Sequence, residues 1–532
     1  MKLKKHLLFL GFIIISFLAK GNGLVISDPV LVDQQHLRVN VTWEHSWKLS
    51  DSPANHDAIW LFVKARQDQV WLHQHIDFSN AAHSWISGDV VDVQPTSDGM
   101  GLFITRSSEG SGPINCTIEL AFDKNLGDNV NSLRIFGIEM VYVPEGAFWL
   151  GDTTSINSIA LNSAGKHIPY KVESEASIEF GSGDQMLQLH NINDMFEPPV
   201  HELLLPSDFP KGFSAFYAMK YEVSQEQYVA FLNTLSSQQQ ANRTQLPTNS
   251  PPGTRVMLPE HLALKLDGVI QMAVTDSISR RNSIEIKVAG SNNQPAVYCC
   301  NANRADEENQ PADGQTRAIN WLSWGDLAAY LDWAGLRPLT ELEYEKMARG
   351  AGQEPLPGEF STGSSKMVDA ETVDYDGTAK ERVTEIIPDN HGISNYGSII
   401  SESDFPLQGP LRVGFAGNET TTRLTSGAGY YGQFELSGNV HELMVAAGLA
   451  ASKDFTAASG DGLLNEQGDA DEPDWPDPQI ADGVIYRGGA WNSANYGPGN
   501  YCDMTISDRY YVHLSPSIRR DTSGGRGGRN AE

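Results

Sequence analysis

The chain has 532 residues, among them 49 glycines and 27 prolines, with 40% hydrophobic residues and a formal net charge of −29 at pH 7. That length exceeds one ordinary core, so two or more domains are expected. The acidity argues against nucleic acid or an anionic membrane as partner, since like charges repel. Four cysteines, Cys116, Cys299, Cys300 and Cys502, are too few for a disulfide-built scaffold, so packing has to hold the core.

Residues 1–21 read as a secretory signal. Lys2, Lys4 and Lys5 form a basic start, Leu7 to Leu18 an apolar stretch, and Ala19 and Gly21 supply small residues for cleavage. The apolar run is short for a membrane span, and no later stretch reads as one. The mature protein is therefore expected to be secreted or periplasmic, without a transmembrane segment.

Residues 22–134 follow a period of two and are rich in β-branched and aromatic side chains. Leu37–Trp43, Ala58–Ala65 and Gly101–Arg106 are strand candidates separated by polar turns, which predicts an antiparallel β-sandwich. Trp43, Trp47, Trp60 and Trp71 fit a core, with a sugar-binding platform as the alternative. His73 and His75 share a strand face, as metal ligands or as surface residues. The polar stretch Asn125 to Arg134 is expected to be the linker.

Residues 135–532 form the second predicted domain. Ile138–Asp152 reads as a strand, a Pro-Glu-Gly turn and another strand. Ser224 with Gln227, Ser323 with Asp326, and Thr340 with Glu343 are capping boxes, so helices are expected after each, the last stopped by Gly350. The Gln-, Asn- and Pro-rich run Ser236 to Gly253 reads as a surface loop. Beyond Gly350 the chain is mostly loop, with an acidic stretch at Asp461–Asp482, a strand at Gly483–Ser493 and a Gly/Arg-rich end that reads as a last strand.

Tyr430 to Val445, YYGQFELSGNVHELMV, is the most concentrated stretch. Asn439, His441 and Glu442 offer polar side chains beside the backbone carbonyls of Gly438 and Val440. A hard cation such as Ca²⁺ takes six to eight oxygens of these kinds. The spacing fits either a metal loop or a tight turn into a core strand or helix with Glu442 solvated.

Five blocks in order, MVYVPEGAFWLGD, YEVSQEQYVAFL, NWLSWGDLAAYLDWAGLRPLTELEYEKMARG, GQFELSGNVHEL and YRGGAW, resemble the formylglycine-generating enzyme (sulfatase-modifying factor) family. The resemblance covers about Ile138 to Arg529. It implies an α+β, C-type-lectin-like domain with little regular secondary structure and bound calcium, with Asn439, Gly438, Val440 and Glu442 as ligands and Asn395 at a second site. It also implies a copper oxidase that converts a cysteine or serine of sulfatase-type proteins to formylglycine. The family holds copper through two cysteines spaced C-x4-C, and the comparable segment here reads Cys502-x4-Ser507. Cu(I) takes soft thiolates, and a hydroxyl does not replace one. The expectation is thus a non-catalytic, calcium-stabilised module that binds an extracellular or envelope protein or glycan. The alternative is an active formylglycine-generating oxidoreductase.

Overall fold

A computed structural model describes residues 13–14 and 23–532, except 69, 128, 156, 165, 190–201, 259–278, 292–293, 304–306, 398–407 and 497–500. At 13–14, 202, 495–496, 501–502 and 512–513 it describes the backbone alone. The predicted signal, 1–21, lies outside the described residues apart from the Ile13–Ile14 backbone.

The front region is a sandwich, as the alternating pattern predicts. One sheet is formed by β1 (Val25–Leu31), β2 (His36–Lys48), β8 (Gly110–Ala121) and β5 (Ser84–Gly88), in that spatial order. Against it lies a sheet containing β3 (Asp57–Gln67), β7 (Leu102–Arg106), β6 (Val91–Pro95) and β4 (Val70–Gln74). Every second residue of β2 points inward, so Leu37, Val39, Val41 and Trp43 meet Ile59, Leu61 and Val63 of β3 in one dry cluster.

The second sheet does not stop at the end of the front region. β9 (Val130–Val143) pairs along the length of β3, from Val130 opposite Gln67 to Val141 opposite Asp57. Its last four residues also pair with β10 (Phe216–Met219) on the other side. β10 is followed outward by β16 (Gly527–Asn530) and β13 (Arg337–Pro338), so the Gly/Arg-rich end is indeed a strand. The linker expected at Asn125–Arg134 is therefore corrected. Only its first residues form a loop, and Val130 to Arg134 belong to a strand shared by both regions. Polar character marked the loop, while burial of Leu133 and Ile135 in the sandwich core explains the strand.

Among the described residues, helices are few and short. α1 (Gln225–Leu232), α3 (Trp324–Trp333) and α4 (Glu341–Arg349) start at the three predicted capping boxes, each with both reciprocal bonds present. A fourth, α2 (Ser237–Arg243), occupies part of the expected loop, and its own box of Ser236 and Gln239 explains it. α3 lays Trp333 edge-on to Phe62 of β3 and Phe136 of β9. Trp60 Nε1 donates to Ala334 O at 2.9 Å. Trp43 and Trp60 are thus fully buried anchors and no part of an exposed sugar platform, whereas Trp47 and Trp71 are half-buried, the first beneath the Lys220 ammonium at 4.8 Å and the second beneath the Arg134 guanidinium at 4.4 Å. Among the described residues, no helix is long and apolar enough to cross a membrane.

Candidate functional site

α4 is the floor of the candidate site. Glu341, Glu345 and Arg349 fall one turn apart on a single face, and this face is buried. Arg487, at the end of β15 (Val484–Arg487), bridges Glu341 at 2.7 Å and Glu345 at 3.1 Å. Arg509 reaches Glu341 at 2.9 Å, and Arg349 pairs with Glu345 at 2.9 Å and Glu359 at 3.3 Å. Alternating charges of this kind survive burial because each is met by an opposite charge with hydrogen bonds.

The segment expected to carry the metal pair lies on this floor. The Cys502 backbone sits in a short 3-10 turn, Tyr501–Met504, and its side chain is outside the described residues. Ser507 is buried, and its Oγ accepts Arg349 Nη2 at 2.9 Å. A copper ion at that oxygen would face a guanidinium, so Ser507 does not fit as the second ligand. The other three thiols are free and buried. Cys299 and Cys300 lie on β12 (Val297–Cys300), paired with β11 (Ile284–Val288), and no vicinal disulfide forms. Burial pushes the Cys116 and Cys299 thiols up to about 12 and that of Cys300 well above its ordinary value. Thiols held protonated are poor ligands for Cu(I).

The Ser437-Gly438-Asn439 turn behaves differently from the predicted calcium loop. Gly438 has φ 87°, and a Cβ there would run into Ser394 Oγ and Asn395 O, so the close approach requires glycine. Asn439 Oδ1 accepts two donors, Leu411 N at 2.8 Å and Asn395 Nδ2 at 3.1 Å. Its Nδ2 donates to Glu222 Oε2 at 2.5 Å, and Val440 N donates to Glu222 Oε1 at 3.1 Å. Both Glu442 oxygens accept from Arg526 Nε at 2.9 Å. The side-chain oxygens of Asn439 and Glu442 are therefore engaged by protein donors. Asn395 Oδ1 is the one predicted side-chain oxygen left without a partner among the described residues. The predicted side chains thus offer one open oxygen between them, and they do not by themselves build the six to eight oxygens of a calcium sphere.

Around Arg526 the interior is strongly acidic. The guanidinium also donates to the carbonyls of Met219, Lys220 and Phe434. Glu222, Glu435 and Glu442 share this dry space. Burial, reinforced by neighbouring carboxylates, raises Glu222 well above its ordinary value. Burial lifts Glu435 to about 7, although Gly414 N donates to its carboxylate. His73, the other metal candidate, stacks on Phe62 and holds Met100 O through Nε2 at 2.6 Å; burial keeps it neutral, as a core residue.

A family model described as the sulfatase-modifying factor enzyme 1-like domain matches residues 209–526. The chain belongs to the formylglycine-generating enzyme (sulfatase-modifying factor) family. Glu222, Arg349, Asn439, Glu442, Cys502, Ser507 and Arg526 of this family member all fall inside the matched span. No curated protein matches the chain. Among solved structures, a "Major Tropism Determinant U1 Variant" is 11% identical, with 86% of this chain and 85% of that one covered, at a TM-score of 0.21. So low a score carries no argument about the fold. Sequence reasoning missed Glu222, Glu435 and Arg349. Each is one acidic or basic residue among many, and only the fold shows what it faces.

Proposed function

We propose that the chain is an exported, formylglycine-generating-enzyme-like protein that works as a binding or assembly module without copper oxidase chemistry. The carrying observation is the Ser507 hydroxyl, locked onto Arg349 where the family's second thiolate would stand. Export rests on the basic and apolar start of the sequence, and the C-type-lectin-like reading of residues 135–532 rests on the five family blocks. In this reading the interior around the Ser-Gly-Asn turn is held by Arg526 and its carboxylates, with no calcium required there.

A polar groove of about 570 Å³ gives the module a binding surface. Asn242, Gln245, Gln467 and Gln479 line it beside Arg243 and Arg519. The two arginines are already neutralised by Asp326 and Asp469, so the groove offers hydrogen bonds with little net charge. That chemistry suits a neutral glycan better than an ionic ligand. Purified protein applied to a panel of neutral oligosaccharides should bind at least one class saturably, and Gln479→Ala with Gln467→Ala should weaken it. Incubation with Cu(I), oxygen and a cysteine-bearing sulfatase peptide should leave the peptide mass unchanged. Conversion of that cysteine to formylglycine would overturn the reading and favour the oxidoreductase.

A further inference from the structure

The first residue of β14 (His441–Val445) and the residue after Cys502 meet in the interior in a way that neither the family chemistry nor the proposed binding role uses. His441 and Asp503 are both about 5% exposed, and each leaves one polar atom without a partner: Nε2 of the imidazole and Oδ1 of the carboxylate. His441 Nε2 lies 3.6 Å from Asp503 Oδ2, too far for a hydrogen bond. Buried polar atoms are nearly always paired, so an open atom on each of two side chains that approach to 3.6 Å calls for a third group between them.

The surroundings say what that group is. Asp503 Oδ2 accepts Ser493 Oγ at 2.7 Å, and Ser493 Oγ in turn accepts Ala490 N at 2.9 Å. The carboxylate is therefore pinned in orientation while Oδ1 stays open, as outer partners do for metal ligands. His441 is fixed by the backbone bond from its N to Thr522 O at 2.7 Å and by the Tyr511 ring, edge-on at 4.9 Å. Tyr486 covers another side at 5.7 Å. Charges of both signs lie around the pair: Asp503 and Arg487 both bear on Asp508, and Asp521 is paired with Arg280 at 3.3 Å. The open donor atoms, rather than the field, select a cation. A neutral imidazole nitrogen with a carboxylate oxygen suits a divalent first-row transition ion, unlike the thiolate pair that selects Cu(I).

We propose that His441 Nε2 and Asp503 Oδ1 bind one divalent transition-metal ion, with Ser493 as the residue that positions the carboxylate. With two protein ligands the ion is exchangeable, and its other positions are left to water or a small ligand. The inference stands apart from the glycan-binding reading, since it involves neither the groove nor any partner.

The test uses the full chain freed of metal by chelation and dialysis. Zn²⁺ titrated by calorimetry should bind at one per chain. His441→Gln and Asp503→Asn should each abolish it, Ser493→Ala should weaken it ~10–100-fold, the range seen when outer partners of metal ligands are lost, and Ser507→Ala should leave it unchanged. Each variant is compared with the metal-free parent by near-UV circular dichroism. Should His441→Gln or Asp503→Asn not fold, the Co²⁺-loaded parent decides. Visible ligand-field bands without a thiolate-to-metal band support the histidine–carboxylate pair. A thiolate band, no Zn²⁺ binding by the parent, or undiminished binding in folded His441→Gln and Asp503→Asn would each overturn it.

Discussion

Arg526 is the cation on which the second region's interior closes. It meets Glu442 at 2.7 Å and three backbone carbonyls, while Glu222 and Glu435 press in from the side. Removing one partner of a buried pair strands the other charge and costs about 3–5 kcal/mol. Arg526→Met should therefore lose stability of that order in urea denaturation at pH 7.5, and more than Glu442→Gln, which leaves fewer buried negative charges. The loss should shrink at pH 5.5, because Glu435, lifted to about 7, is then protonated, and burial raises Glu222 in the same direction. Equal losses at the two pH values would show that packing, not charge, is the cause. The engaged oxygens of Asn439 and Glu442 carry a second expectation: a calcium-selective chelator should leave the melting temperature unchanged, and a drop would return calcium to this loop. These contacts were closed to sequence reading for a physical reason. Glu442 and Arg526 lie 84 residues apart, and no local pattern records which carboxylate a distant guanidinium meets.

At the scale of elements, what is local was legible. The capping boxes at Ser224, Ser323 and Thr340 complete themselves within four residues, so the helix starts follow from the sequence alone. α2 carries the same signature at Ser236 and Gln239, obscured by a composition that otherwise suggests loop. Thr340 uses its hydroxyl both within its own helix and outside it. Its Oγ1 accepts Glu343 N at 3.2 Å and donates to Pro210 O at 3.0 Å, tying the helix start to the strand-side loop. Thr340→Ala should cost about 1–2 kcal/mol in denaturant unfolding, the upper part of the range for a lost cap. Thr340→Ser keeps the hydroxyl and should recover most of it. A serine variant as weak as the alanine one would point to the lost methyl instead. Strand ends were less legible than helix starts, because β9 is defined by partners on both flanks and polar residues mark only the loop that precedes it.

For the whole molecule, the shared strand decides how separable the regions are. Residues 135–532 expressed alone would lack β3, exposing the long edge of β9 and uncovering Phe136 and Trp333. That fragment should be insoluble or largely unfolded by circular dichroism, and a cooperative melt would show two independent domains after all. The buried acids set the chain's response to pH. Burial lifts Glu139, Glu435 and Asp508 to about 7 and Asp332 to about 8, and Glu222 lies well above its usual value. In the unfolded chain these groups release their protons near pH 4, so between pH 6.5 and 7.5 the native state binds more protons than the unfolded one. Stability contributed by these groups is therefore present at low pH and lost as pH rises through the native values, by ~1.4 kcal/mol per pH unit for each proton held only by the native state. Lys64, lowered to about 7 by burial, works in the opposite sense, and so to a smaller degree do Lys211 and Lys346, lowered to about 8, since the unfolded chain keeps their protons. His56, lowered to about 4 by burial, and His73 also oppose the trend, but mainly below pH 6.5 where the unfolded imidazole charges. Five acids outweigh these groups over the neutral range, and relief of a net charge of −29 acts in the same direction. Calorimetric melting at pH 7.5, 7.0 and 6.5 should give a rising transition temperature as the pH falls. A transition that stays level or falls would mean that these carboxylates remain ionised inside the fold, and that their compensation lies in cations other than Arg526 and Lys220, whose ammonium pairs with Glu139 at 3.0 Å and Asp57 at 3.6 Å.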